Sequence, residues 1–234
     1  PGAPVVRIRP GWPVAGKDNL VCVVRDESVD TDGDVLTYTF SWLRDGVPYT
    51  GEPVTTNHTG DTIPATETAA MQQWGCSVVG NDGIANGVAG VFEVVPTCAD
   101  LNCDGYPDIV VASYASDADN VDVNPSIFFG SASGFSDGNK QAVPTTASAG
   151  IAVADFNSDG LLDVFFARST STEESAPNLD SPVFLGNGAG LDSTPVGTVP
   201  TNRGQGAAAA DFDDDGKPDL LVGTIDRAVL FLNK

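Results

Sequence analysis

The sequence predicts an all-β protein in two parts, a β-sandwich followed by loop-and-strand repeats, and three observations carry that prediction. Glycine (26 residues) and proline (16) punctuate short stretches rich in Val, Thr, Phe and Ile, while helical periodicity is hard to find. The first half alternates apolar and polar residues, as in "LTYTFSWLRDG", where Leu36, Tyr38, Phe40 and Trp42 interleave with Thr37, Thr39 and Ser41. Such a strand buries one face and wets the other. The second half states one acidic phrase three times: "ADLNCDGYPDIVVAS" from Ala99, "ADFNSDGLLDVFFARS" from Ala154 and "ADFDDDGKPDLLVG" from Ala210.

Composition bounds the rest. The 234 residues suffice for one large or two smaller domains. The formal net charge is -21, from 32 acidic against 11 basic residues, yet 41% of residues are apolar and can build a core. The acidity is therefore not that of a disordered tail, and it makes nucleic acid a poor partner. No run approaches the ~18 apolar residues of a membrane span. No basic n-region with an apolar h-region opens the sequence, so a secretion signal, if one existed, has already gone.

In the first part, residues 1–96, strands are expected at "PVVRI", "NLVCVVRD", "LTYTFSWLRDG", "QQWGCSVVGNDG" and "GVFEVV", separated by turn signals at sandwich-like intervals. Four cysteines, Cys22, Cys76, Cys98 and Cys103, allow three pairings and lack the second Cys/His pair of a zinc site. Disulfides are the expectation, and with them an oxidising compartment.

On "SWLRDG" and "WGCSVVGNDG" this part resembles bacterial Ig-like and PKD-like modules, which act mostly as spacers or adhesive units. The resemblance implies a Cys22 to Cys76 bridge beside Trp42. Trp74 stands where a tyrosine corner would lead into Cys76, which argues against an immune-receptor domain. The turn "VDTDGDVLTY" places Asp30, Asp32 and Asp34 together, and it reads as a polar Asp-Gly turn because no fourth carboxylate follows in the register of the later loops. Asn57-His58-Thr59 has the form of a glycosylation sequon.

The second part, residues 97–234, is the repeat region. Asp155 follows Asp100 by 55 positions and Asp211 follows Asp155 by 56, each opening a D-x-[DN]-x-D-G-x-x-D phrase. Such a fixed spacing marks an internal repeat. An apolar strand follows each loop ("PDIVVAS", "LDVFFARS", "PDLLVGT"), then a polar stretch and another strand ("SIFFGSASGFS", "PVFLGNGAGLD", "AVLFLNK"). The runs "GIAVADF" and "GAAAADF" precede the second and third loops, and their small residues would let neighbouring backbones approach closely.

These phrases resemble FG-GAP (VCBS-type) repeats, the blades of integrin-alpha-like β-propellers. The resemblance covers about Thr97 to Lys234 in three copies and implies calcium in each loop, in a ring serving extracellular adhesion or recognition. The phenylalanine-glycine element stands at Phe128–Gly130 and, as "FLG", at Phe184–Gly186, while the third copy is read as stopping before it.

The loop chemistry agrees with calcium. A hard cation takes six to eight oxygen ligands, which suits acidic turns and does not suit zinc or copper. In the first loop Asp100, Asn102, Asp104 and Asp108 would supply side chains and Tyr106 a backbone carbonyl. The second would use Asp155, Asn157, Asp159 and Asp163 with the carbonyl of Leu161, and the third Asp211, Asp213, Asp215 and Asp219 with that of Lys217. Gly105, Gly160 and Gly216 permit the tight turn after the third ligand. An EF-hand would need a glutamate at position twelve and flanking helices, and Val111, Phe166 and Val222 stand there instead. Three calcium ions are expected, the third loop binding most tightly with its four carboxylates. Cys98 and Cys103 flank the start of the first loop, where a short bridge would pin it, and "NRGQG" at Asn202–Gly206 reads as a solvated loop.

No nucleophile elbow, Ser/His/Asp set, phosphate-binding glycine loop or H-E-x-x-H pair is present, and His58 has no nameable partner. The expectation is a non-enzymatic, secreted or cell-surface, calcium-binding structural or adhesion protein. Its rival is a carbohydrate-binding or accessory module of a larger secreted enzyme. Three loops fall short of the four to eight blades of a closed propeller, which leaves sheet edges open. The expected partners are therefore other protein chains, either copies of this one in an oligomer or filament or an extracellular partner. A fragment of a longer propeller is expected on the same footing as self-association, and a monomer whose edges are capped by the first domain is the alternative to both.

Overall fold

The computed structural model describes residues 1–50, 61–114, 123–169 and 179–234. The sequon and His58 lie outside the described residues. The chain divides into two units, Pro1–Thr97 and Cys98–Lys234.

The first unit has seven described strands: β1 (Val5–Arg9), β2 (Leu20–Asp26), β3 (Thr37–Arg44), β4 (Val47–Tyr49), β5 (Asp61–Ile63), β6 (Trp74–Asn81) and β7 (Gly90–Val94). They form two antiparallel sheets, β1-β2-β5 and β4-β3-β6-β7. The alternation read in β3 is what packs them, since Tyr38, Phe40 and Trp42 are buried while Thr37, Thr39 and Ser41 are exposed. Against them lie Ile8, Leu20 and Ile63 of the other sheet, with Trp74 and Val78 of β6 alongside. The Cys22–Cys76 disulfide joins β2 of one sheet to β6 of the other, at a Cα separation of 6.2 Å. The Trp42 and Trp74 rings meet edge to face at 6.3 Å. Strands β4 and β5, three residues each, carry too little pattern to be read from sequence.

The described residues of the second unit form three small antiparallel sheets. The first comprises β8 (Ile109–Val111), β9 (Ser126–Phe128) and β10 (Lys140–Ala142), and the second β11 (Ser148–Ala154), β12 (Asp163–Arg168), β13 (Ser181–Phe184) and β14 (Gly197–Val199). The third holds β15 (Gly204–Ala210), β16 (Asp219–Thr224) and β17 (Ala228–Phe231). Strand order follows chain order in each, as in a propeller blade, and no sheet among the described residues closes into a barrel. The short β10 and β14 were not legible in the polar stretches that contain them.

The sheets stack face to face because β12 is apolar on both sides. Val164 and Phe166 pack with Ile127, Phe129 and Val143 of the first blade, whereas Phe165 and Ala167 pack with Leu220 and Val222 of the third. The small-residue runs sit where the stack is tightest, since a Cβ on Gly150 of β11 would lie 2.5 Å from the Gly206 Cα of β15. One expectation is corrected here. Arg203, read as part of a solvated loop, is only 7% exposed, drawn in where the chain folds back from β14 into β15.

Candidate metal centres

Each acidic phrase folds into the same hydrogen-bonded loop. The first aspartate accepts two backbone N–H groups across the turn. Asp100 takes those of Asp104 (3.0 Å) and Gly105 (3.1 Å), Asp155 those of Asp159 (3.0 Å) and Gly160 (2.8 Å), and Asp211 those of Asp215 and Gly216 (both 3.0 Å). The fifth residue then accepts from the seventh: Tyr106 donates to Asp104, Leu161 to Asp159 and Lys217 to Asp215, at 2.9, 2.8 and 2.9 Å. In the first two loops the asparagine amide also donates to the fifth-position carboxylate, Asn102 to Asp104 at 3.0 Å and Asn157 to Asp159 at 2.8 Å.

Two backbone positions per loop are left-handed. Gly105, Gly160 and Gly216 have φ of 87°, 90° and 91°, as a glycine at that point foretells. The fourth position is left-handed too, at Cys103 (58°), Ser158 (61°) and Asp214 (59°), which residue type did not announce. At Cys103 the conformation is held by the disulfide to Cys98, with a Cα separation of 5.4 Å.

The ninth aspartate has a role that sequence reasoning missed. Both of its oxygens accept backbone N–H groups, one from the start of its loop and one from the end of the next strand. Asp108 takes Leu101 and Gly130 (both 2.9 Å), Asp163 takes Phe156 (2.9 Å) and Gly186 (2.8 Å), and Asp219 takes Phe212 (2.7 Å) and Asn233 (2.8 Å). This explains the phenylalanine-glycine element. A Cβ on Gly130 would lie 2.3 Å from the Pro107 carbonyl oxygen, and one on Gly186 would lie 2.5 Å from that of Leu162. It also corrects the reading that the third copy stops short, because Asn233 occupies the equivalent position and makes the same bond. The only signal for this was the spacing from ninth aspartate to glycine, 22 residues in the first copy and 23 in the second.

The loops gather at one end of the blade stack. Cys98, at the start of the first, donates its N–H to the Gly160 carbonyl of the second at 2.9 Å, and the Asn233 side chain donates to the Phe156 carbonyl at 2.8 Å. In the second loop burial raises the Asp155 carboxyl above its ordinary range. Burial likewise pushes Asp163 up to about 6, with the charges of Asp155 and Asp159 adding to the effect against the pull of the Gly186 and Phe156 N–H groups.

The residues fit a hard cation most clearly in the third loop. Carboxylate oxygens of Asp211, Asp213 and Asp215 lie within 4.8 Å of one another. Asp213 Oδ1 is buried without a hydrogen-bond partner among the described residues, while its Oδ2 holds the ammonium of Lys234. By contrast, Asp30 of the first unit accepts the N–H groups of Asp32 (3.3 Å) and Asp34 (3.0 Å), capping its own turn.

Fold and loops together describe a class of protein, a chain of small antiparallel blades with an acidic turn between the strands of each. The comparison with known families agrees: the FG-GAP-like repeat family matches residues 96–166, a span running from before the first loop through the second. No curated protein matches the chain. No helix among the described residues is long and apolar enough to cross a membrane.

Proposed function

We propose that the second unit is a calcium-binding stack of FG-GAP-type blades within a secreted or cell-surface protein of structural or adhesive role. The observation that carries this reading is Asp213 Oδ1, a buried carboxylate oxygen with no partner among the described residues, set beside two further carboxylates. A calcium ion there would satisfy that oxygen and relieve the mutual repulsion of Asp211, Asp213 and Asp215. The first and second loops share the loop geometry and would bind with three carboxylates and an asparagine each. The ninth aspartates keep free lone pairs on oxygens that already accept one N–H group, so they can both fix the blade and face an ion. Calcium in this reading is a staple of the loop rather than a reactant.

The two disulfides and the FG-GAP-like match support an extracellular setting. The cross-sheet Cys22–Cys76 bridge beside buried Trp42 supports an Ig-like reading of the first unit, with a spacer or adhesive role. The rival reading, a carbohydrate-binding accessory module, needs exposed aromatic platforms, and Trp42 and Trp74 are both core residues. Glycan-array binding would revive it. The deciding experiment is a calorimetric calcium titration of chelator-stripped protein. Three binding events are expected, the tightest at the third loop, and a flat titration would end the calcium reading.

A further inference from the structure

The end of β12 away from the acidic loops carries a feature of different chemistry. The strand begins at Asp163, within the second acidic phrase, and ends at Arg168. Arg168 lines a cavity of about 440 Å³ in the second unit, bordered by Pro144 and Thr146, which follow β10, and by Pro182 and Thr198 of β13 and β14. Its hydrogen bonds fix the side chain without neutralising it. Nε donates to the Thr146 carbonyl at 2.9 Å, one terminal nitrogen to the Thr146 hydroxyl at 3.3 Å and the other to the Asp180 carbonyl at 3.4 Å. A guanidinium has five N–H groups, and these bonds leave one on each terminal nitrogen. All the acceptors are uncharged, and among the described residues no carboxylate forms an ion pair with Arg168. Burial lowers its pKa, and the charge of Asp180, acting from farther off, offsets this only in part. The guanidinium stays charged at neutral pH.

From this geometry we propose that the cavity binds a small ligand through a single carboxylate, gripped by the two remaining N–H groups of Arg168. Paired N–H···O bonds from one guanidinium are a strong and directional way to hold a carboxylate. One uncompensated positive charge suits a monoanion, whereas a phosphate dianion would meet the field of a chain of net charge -21 with only one cation to hold it. The rings of Pro144, Pro182 and Pro195 carry no N–H and give the ligand body stiff apolar walls, while exposed Asn124 and Thr198 offer it polar groups. An acidic sugar and an acidic amino acid share this chemistry. The inference goes beyond the calcium reading and does not rest on it, since the acidic loop and Arg168 stand at opposite ends of β12.

The test is an NMR titration of the full chain at fixed salt and calcium. The probes are sodium glucuronate and N-acetylglutamate methylamide, with glucose and N-acetylglutamine methylamide as their uncharged counterparts. The Arg168 Nε–H resonance and the amides of Thr146 and Thr198 should shift and saturate at millimolar concentration with at least one acidic probe, and about tenfold more weakly or not at all with its neutral counterpart. The tighter of the acidic probes identifies the source as sugar or amino acid. Arg168→Lys keeps the charge but loses the planar fork, and it should weaken binding about tenfold. Thr198→Glu leaves every bond of Arg168 in place and sets a competing carboxylate in the cavity. It should abolish binding while the melting temperature stays as in the wild type. No saturable shift with either acidic probe up to about 50 mM overturns the proposal, as does equal binding of the neutral counterparts or a Thr198→Glu variant that binds undiminished. Arg168 would then serve only to tie the 144–146 segment to β12.

Discussion

Asp163 accepts the backbone N–H of Gly186 at 2.8 Å, tying the second acidic loop to the end of the strand that follows β12. The same carboxylate holds Phe156 N–H at the head of its loop, and Asp163 is fully buried. Replacing it with alanine would strand two backbone donors. Asp163→Ala is therefore expected to destabilise the second unit by about 2–5 kcal/mol even in chelator, where no ion is bound. Gly186→Ala should destabilise as well, because the added Cβ meets the Leu162 carbonyl. Chemical denaturation in chelator would read both effects, and an unchanged midpoint for either variant would refute the clamp.

Asp213 should behave in the opposite way. Its visible partner is the exposed ammonium of Lys234, a contact of little worth in water, and it stands among like charges. Asp213→Ala should leave the metal-free protein as stable as before or slightly more so, yet remove the tightest calcium-binding step. Paired melting curves in chelator and in calcium would show it, and equal losses under both conditions would assign Asp213 a purely structural role.

Calcium should raise the melting temperature of the intact chain. With dissociation constants of about 0.1 mM, calcium at ~1 mM contributes roughly 1.4 kcal/mol per site. A melting temperature that did not respond to chelation would contradict this.

The pH dependence should change sign with calcium. Burial pushes the folded Asp163 carboxyl up to about 6, well above the ordinary carboxylate range, so without metal its ionisation opposes folding. Its penalty is absent below about 4 and complete above about 6, so metal-free stability should rise as pH falls across that window. With calcium bound the carboxylate form is required, and acidification should weaken binding and lower stability. Melting curves at several pH values would separate the cases, with Asp163→Asn losing its share of the metal-free trend.

In the first unit, the Trp42 indole N–H donates to the buried carboxylate of Asp61 at 3.1 Å. Asp61→Ala would leave that donor unsatisfied in the core and is expected to cost about 1–3 kcal/mol. Urea denaturation monitored by tryptophan fluorescence would measure it, and a neutral variant would mean that water replaces the carboxylate.

The all-β class and the repeat region were legible because they rest on local periodicities. Period-two alternation in β3 needs only a sheet with one wet face, and three acidic loops in fixed register announce themselves at any tertiary arrangement. Residue type alone specified Gly105, Gly160 and Gly216, since a left-handed turn favours glycine. What only the tertiary structure decided are relations between distant segments. Asp108 and Gly130 are 22 residues apart and meet only because β8 and β9 pair, and Arg203 is buried only because the chain folds back there. The doubly apolar β12 could be read as buried, but which neighbour each side would meet could not. Strand periodicity states how many faces a segment hides, while the partners that hide them are chosen by the packing of the whole stack.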